Sequence, residues 1–138
     1  MQCDDPVAGS SGIPALGVCV GMQILFDRSE EGPCAGLSVL HGDVVRLRHA
    51  TLPHIGWNSV RHSGDPLFEG IRQDDSFYFV HSFAAGPEGA IAVTDYGGPF
   101  AAAWRRGSLY GVQFHPEKSS TAGRRLLANF VRMAEETR

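Results

Sequence analysis

The segment Gly17–Gln23, with the sequence GVCVGMQ, constrains the fold of this chain more than any other stretch. A short apolar run at 13–16 precedes it, and apolar residues with helical spacing follow from Met22. The pattern predicts a strand that turns directly into a helix, with Cys19 at the corner and flanking glycines that allow the turn. A cysteine at a helix N-terminus can be a nucleophilic thiolate, but free cysteines are also among the most buried residues. This segment alone leaves both interpretations open.

The composition is that of an ordinary globular domain. A length of 138 residues suits one domain with a hydrophobic core, and a net charge of -3 gives no reason to expect nucleic acid or an anionic membrane as partner. No apolar run approaches the roughly 20 residues that span a bilayer, and the first residues lack the pattern of a signal peptide. The three cysteines are irregularly spaced, which argues against a disulfide framework. We therefore expect a reduced, cytoplasmic protein.

Hydrophobic periodicity divides the chain into a strand, a helix, several further strands and a C-terminal helix. Residues 1–12 are polar and rich in Gly and Ser, which predicts an atypical loop or loose terminus, and residues 13–138 form the folded domain. We expect a strand at 13–18 and a helix that ends at Phe26 or Asp27. Strands or extended segments are predicted at 37–47, 53–60, 76–83, 90–96, 100–105 and 109–114, and a short helical turn at 67–71.

The C-terminal segment 120–136 is an amphipathic helix by its spacing. Its predicted apolar face consists of Leu126, Leu127, Phe130, Val131 and Ala134. A strand and helix, then several strands, then a helix fit an α/β or α+β layer fold with a mixed sheet. A doubly wound domain would have strand–helix units before the Cys19 corner, and almost nothing precedes it here.

The segment Gly111–Ser120 contains residues that could complete a catalytic site. A predicted strand ends at His115, and Glu117 follows two residues later. A cysteine nucleophile needs a base that takes its proton, and the base needs a carboxylate that orients it. Taken singly, His115 could cap a turn and Glu117 could be a surface charge. Together with the Cys19 corner, they favour a Cys-His-Glu triad.

These two segments, GVCVGMQ and QFHPE, together resemble the class I (triad) glutamine amidotransferases. Within that class, the segments 52–58 (LPHIGWN), 79–83 (FVHSF) and 115–120 (HPEKSS) resemble the glutaminase subunits of imidazole glycerol phosphate synthase, from histidine biosynthesis. The resemblance covers residues from about 13 to 134. It implies a three-layer α/β fold of the class I glutamine amidotransferase type with a mixed central sheet.

The resemblance also implies a reaction. The thiolate of Cys19 would attack the side-chain amide of glutamine, with His115 as base and then acid, and Glu117 would orient His115. Ammonia would leave first, and water would then hydrolyse the thioester to glutamate. The N–H group of Val20 would donate to the tetrahedral oxyanion. The residues that match substrate-binding positions are Gln23, Ser82 and Phe83. No cofactor is implied, and the other histidines lack metal-ligand spacing.

A partner is implied as well, the (β/α)8-barrel cyclase subunit of the same synthase, which would receive the ammonia away from bulk water. The positions that match partner-facing regions are Pro53, His54, Ile55, Trp57, Tyr78 and Lys118. For Trp57 and Tyr78, core packing is the alternative interpretation. Lys118 lies beside the triad in sequence and would suit an ion pair between subunits.

The chain departs from the family pattern at its beginning. Nothing in residues 1–12 matches the first strands of the sheet or the P-G-x-G loop that would supply a second oxyanion donor, so the N-terminal third is expected to be missing. Two hypotheses follow: a glutaminase subunit that is weakly active or inactive alone, and a truncated, non-catalytic remnant that acts as a binding module. A third is another triad amidotransferase, serving nucleotide or aminobenzoate synthesis, but the segment 53–58 argues against it.

Overall fold

The computed structural model describes residues 14–23, 25–30, 36–37, 40, 42–49 and 51–136, so the segment 1–12 lies outside it. The helices are α1 (Val20–Gln23) and α2 (Ser120–Glu136), with 3₁₀ turns at Pro66–Phe68 and Pro116–Lys118. The strands are β1 (Ala15–Val18), β2 (Arg28–Ser29), β3 (Asp43–Arg46), β4 (His54–Ser59), β5 (Arg61–His62), β6 (Ser76–His81), β7 (Phe83–Ala85), β8 (Ala92–Asp95), β9 (Pro99–Arg106) and β10 (Leu109–Val112). Neither described helix is long and apolar enough to cross a membrane.

The largest sheet has the strand order β1-β10-β9-β8-β5. Strand β1 runs parallel to β10, and the other neighbours are antiparallel, so the sheet is mixed as predicted. In the parallel pair Val18 lies opposite Val112. The carboxyl ends of β1 and β10 therefore meet at one edge of the sheet, and the segments that follow them start side by side. The described residues also form a three-stranded sheet, β2-β3-β7, and a two-stranded sheet, β4-β6.

Two apolar clusters bury the two faces of the largest sheet. Alternate residues of a strand point to opposite faces, and in β10 Tyr110 belongs to one cluster and Leu109 to the other. The first cluster also contains Leu126 of α2, and the second contains Met22 of α1. A helix on each face of the sheet gives the three-layer α/β arrangement that the sequence predicts.

The first helix is shorter than predicted. It ends at Gln23, and the N–H groups of Leu25 and Phe26 then donate to the carbonyls of Met22 and Gln23, three residues earlier, at 3.0 and 3.3 Å. Bonds of this type tighten the end of a helix into a turn. The prediction of a helix to Phe26 or Asp27 is therefore wrong, and the short strand β2 that follows was not predicted.

The second helix has the predicted length but a different buried face. Gly123, Leu126 and Asn129 are buried, whereas Val131 is 53% exposed. Each residue turns a helix by about 100°, so a side chain directly after Phe130 leaves the core-facing stripe. Asn129 is a polar residue on the buried face, and its amide nitrogen donates to the carbonyls of Leu67 and Glu69, both at 2.9 Å.

Candidate active site

Cys19 occupies the corner between β1 and α1 in a left-handed backbone conformation, with a φ of 56°. Its N–H group donates to the carbonyl of Val112 at 2.7 Å, which ties the corner to β10. Neither flanking glycine has a positive φ, so neither supplies a left-handed conformation. The prediction that glycine lets the chain turn without a clash is confirmed for Gly17, where a Cβ would lie 2.5 Å from the carbonyl oxygen of Gly21. It is wrong for Gly21, where a Cβ would meet nothing within 4 Å. The left-handed conformation costs a non-glycine residue about 1–2 kcal/mol. The rest of the fold offsets this cost and holds the cysteine at the corner.

His115 lies just beyond the carboxyl end of β10, at the same sheet edge as Cys19. Its N–H group donates to the carbonyl of Tyr78 at 2.9 Å, and the hydroxyl of Ser119 donates to its carbonyl at 2.6 Å. Its Nδ1 lies 3.0 Å from Oε2 of Glu117. Because an ionised carboxylate only accepts, Nδ1 carries the proton and Nε2 is the ring nitrogen that can act as a base. The structure thus supplies a histidine–carboxylate pair at the sheet edge where Cys19 lies.

The sulfur of Cys19 contacts one group from β6 and one from the residue that follows β10. The thiol donates to the carbonyl of Val80 at 3.7 Å, and Nε2 of Gln113 donates to the sulfur at 3.6 Å. Gln113 is completely buried and directly follows β10. The sequence interpretation assigned Gln113 no role. A signal was available, because an amide in an apolar strand must find hydrogen-bond partners in the core.

Of the residues predicted to bind the substrate, Gln23 and Phe83 are linked to this sulfur through Gln113. Gln23 is 3% exposed, and its Nε2 donates to the carbonyl of Phe83 at 2.9 Å and to Oε1 of Gln113 at 3.0 Å. Ser82 and Phe83 are partly buried where β6 passes into β7. Val20 begins α1 directly after Cys19. Glutamine binding by these side chains and backbone groups, and oxyanion binding by Val20, stay predictions.

A buried pair of histidines lies behind the Phe83 carbonyl. Nδ1 of His54 lies 3.0 Å from Nε2 of His81, whose Nδ1 lies 3.1 Å from the Phe83 oxygen. At the other end, the amide nitrogen of Asn58 lies 3.3 Å from Nε2 of His54. Burial lowers the pKa of both rings to about 4. Among the described residues, no three or more His, Cys, Asp or Glu side chains are grouped so that they could hold a metal ion.

The six predicted partner-facing residues divide between surface and core. Ile55 and Trp57 are 60% and 55% exposed, so the core-packing alternative for Trp57 is wrong. The Trp57 ring meets Tyr78 edge-on, with ring centroids 5.9 Å apart. The His54 side chain is only 3% exposed, so the prediction that it faces a partner is wrong. Alternate residues of β4 point to opposite faces, and His54 points to the face opposite Ile55 and Trp57. Pro53 and Lys118 are exposed, and Tyr78 is partly exposed.

The sequence resembles proteins of one family along most of its length. The model of the family described as glutamine amidotransferase class-I matches residues 2–134. Over 122 residues the chain is 52% identical to the imidazole glycerol phosphate synthase subunit HisH of Mannheimia succiniciproducens, covering 86% of this chain and 63% of that protein. Over 133 residues it is 49% identical to the subunit HisH of Thermococcus kodakarensis, covering 90% and 68%. The chain thus spans 63–68% of the length of these two relatives.

Solved structures share the fold at lower sequence identity. A putative GMP synthase protein from Thermoplasma acidophilum superimposes with a TM-score of 0.69 at 22% identity, covering 90% of this chain and 58% of that one. A glutamine amidotransferase from Thermotoga maritima gives a TM-score of 0.60 at 23% identity, covering 93% and 51%. These similarities confirm the predicted fold class.

Proposed function

The chain belongs to the class I glutamine amidotransferase family, and we propose that it is the glutaminase subunit of an imidazole glycerol phosphate synthase. In this role it hydrolyses glutamine to glutamate and passes ammonia to a (β/α)8-barrel cyclase subunit in the cytoplasm. The observation that carries the proposal is the sheet edge where β1 and β10 end side by side, which brings Cys19 next to the segment that holds His115 and Glu117. The identity of about half the aligned residues with two HisH subunits supports this subfamily over other triad amidotransferases.

The proposed chemistry begins at the sulfur of Cys19. The thiolate attacks the side-chain amide carbon of glutamine, and the N–H group of Val20 donates to the tetrahedral oxygen. His115 takes the thiol proton on Nε2 and gives it to the departing ammonia, while Glu117 holds Nδ1 and stabilises the charged ring. A water molecule, deprotonated by His115, then hydrolyses the γ-glutamyl thioester and releases glutamate.

Gln23 is the side chain through which the site would recognise its substrate. Its amide nitrogen donates both to the Phe83 carbonyl and to Gln113. An incoming glutamine would therefore meet its carbonyl oxygen, which can accept from an α-ammonium group. The backbone of Ser82 and Phe83 would hold the substrate carboxylate.

The partner in this proposal binds the surface that carries Ile55 and Trp57. Two large apolar side chains, each more than half exposed, lie at alternate positions of one strand and therefore on the same face. Exposed apolar groups beside polar ones are typical of protein interfaces. Tyr78 contacts Trp57 from the paired strand, and Lys118 lies on the segment that holds His115, so an interface here would border the active site.

A glutaminase assay on purified protein tests the proposal, with and without a cyclase subunit loaded with its own ligand. We expect weak or no glutamate release from the chain alone and a clear increase with the loaded cyclase. Cys19→Ala should abolish the release, whereas Cys34→Ala, a cysteine outside the motif, should retain it. No release under any of these conditions from a monodisperse sample would overturn the proposal and favour a non-catalytic binding module.

A further inference from the structure

A series of buried amide groups connects the backbone of Phe83 to the sulfur of Cys19. Gln23 donates to the Phe83 carbonyl at 2.9 Å and to Oε1 of Gln113 at 3.0 Å, and Gln113 donates to the sulfur at 3.6 Å. Gln23 is 3% exposed and Gln113 is fully buried. The residues come from three different places in the chain, the corner at 19–23, Phe83 and Gln113, and the two amides that link them are buried.

One backbone carbonyl determines the direction of these hydrogen bonds. The Phe83 oxygen can only accept, so the group of Gln23 that faces it must be the amide nitrogen. The same nitrogen carries a second hydrogen, which requires the oxygen of Gln113 to face Gln23. The nitrogen of Gln113 is then the group that faces Cys19. Rotating either amide would place two donors or two acceptors against each other in the core.

The Phe83 carbonyl is itself held by a second donor. Nδ1 of His81 lies 3.1 Å from it, and His54 approaches His81 from behind at 3.0 Å. A carbonyl oxygen has two lone pairs, and here Gln23 and His81 each use one. The Phe83 carbonyl, which determines the orientation of both amides, is therefore held by two donors.

Two contacts of the sulfur respond in opposite ways when the thiol loses its proton. The Val80 carbonyl accepts from the thiol and would oppose the negative charge of a thiolate. The Gln113 N–H group donates to the sulfur, and a hydrogen bond to a charged acceptor is stronger than one to a neutral acceptor. Nearby ionisable groups on the packed elements are His115 with Glu117 after β10, and His81 at the end of β6.

We propose that Gln113 is a positioning residue for the catalytic sulfur, held by Gln23 and the Phe83 carbonyl so that its amide N–H always faces Cys19 and stabilises the thiolate. The proposal deepens the proposed function. It rests on that function only for the reaction in which the thiolate attacks the substrate. The contact itself does not depend on the identity of the substrate or partner.

Alkylation of Cys19 by iodoacetamide tests the proposal, because the reagent needs a thiolate but no glutaminase activity. The full chain is alkylated over a range of pH, and the Cys19 peptide is quantified by mass spectrometry. Gln113→Glu keeps the acceptor for Gln23 and removes the donor to the sulfur. We expect the pH midpoint of alkylation to rise by about one to two units, and the rate at neutral pH to fall about tenfold or more.

Two further variants complete the experiment. Gln113→Met adds no buried charge and should shift the midpoint in the same direction by a smaller amount, so it provides the test if Gln113→Glu does not fold. Gln73→Glu makes the same exchange on an exposed side chain and should leave the midpoint unchanged. A wild-type midpoint in folded Gln113→Met would overturn the proposal, because a shift in Gln113→Glu alone would follow from the added negative charge. A shifted midpoint in a chain that never releases glutamate would instead retain this proposal and contradict the proposed function.

Discussion

Acidification should destabilise the folded chain through the buried pair of His54 and His81. The residues are 3% and 6% exposed, and their rings face each other at 3.0 Å. At one end of the pair the Asn58 amide donates to His54, and at the other His81 donates to the Phe83 carbonyl. These four groups are all satisfied only when both rings are neutral, because an added proton would put two donors face to face. Burial accordingly lowers the pKa of each ring from 6.5 to about 4.

The lowered pKa values determine the sign and size of the effect. The unfolded chain binds protons below pH 6.5, whereas the folded chain keeps both rings neutral until about pH 4. Stability is therefore fully present above the unfolded pKa and is lost as the pH falls through that window. Each ring contributes at most about 1.4 kcal/mol per pH unit, so the fall from pH 7 to pH 5 costs about 2 kcal/mol per ring and about 4 kcal/mol for the pair.

Urea unfolding at several pH values between 7 and 5, followed by tryptophan fluorescence, measures this loss. A double variant with His54→Gln and His81→Gln carries neutral amides and should show a flatter dependence than the wild type. His62→Gln leaves the pair intact and should keep the wild-type slope, although it loses its own hydrogen bonds to the Ile71 carbonyl and the Gly64 N–H group. The reasoning would be refuted by a wild-type free energy of unfolding that falls by less than about 1 kcal/mol over this range.

Three further substitutions test the packing and the surface. Gly17→Ala places a Cβ 2.5 Å from the Gly21 oxygen and should lower the free energy of unfolding by about 1–3 kcal/mol. Gly21→Ala, where a Cβ meets nothing within 4 Å, should not lower it. Equal losses of unfolding free energy in urea for the two variants would contradict the close approach. Tyr110→Phe removes a 2.9 Å hydrogen bond to the buried carboxylate of Asp65 and should cost about 1–2 kcal/mol in the same assay; an unchanged midpoint would argue against that bond. Trp57→Ala should change stability by no more than about 0.5 kcal/mol but weaken binding to the proposed cyclase partner by about tenfold or more in titration calorimetry. Unaltered binding would contradict a partner surface here.

Local patterns in the sequence are sufficient for much of this fold. A run rich in aromatic and β-branched residues predicts β6, and helical spacing predicts the full length of α2. The class I motifs predict that Cys19 and His115 lie at one sheet edge, which the parallel register of β1 and β10 provides. These features depend on neighbouring residues or on a motif, so the sequence contains them directly.

Other predictions were wrong because hydrophobic periodicity does not say which face of a strand or helix is buried. His54 and Ile55 are adjacent in β4, and one is buried while the other is 60% exposed. Nothing in the segment itself distinguishes them, since the choice depends on β6 and on the rings that stack against His54. Val131 of α2 was assigned to the wrong face for the same reason.

The amino-acid sequence by itself thus predicted a nucleophile, its base and the carboxylate, and it determined the class of layered fold that presents them. Only the tertiary structure decided how the sulfur is held. Gln113 reaches Cys19 across 94 positions of the chain, and Gln23 reaches Phe83 across 60. The direction of those hydrogen bonds follows from one carbonyl that can only accept, and its place beside the two amides depends on strand register and helix packing rather than on any local pattern.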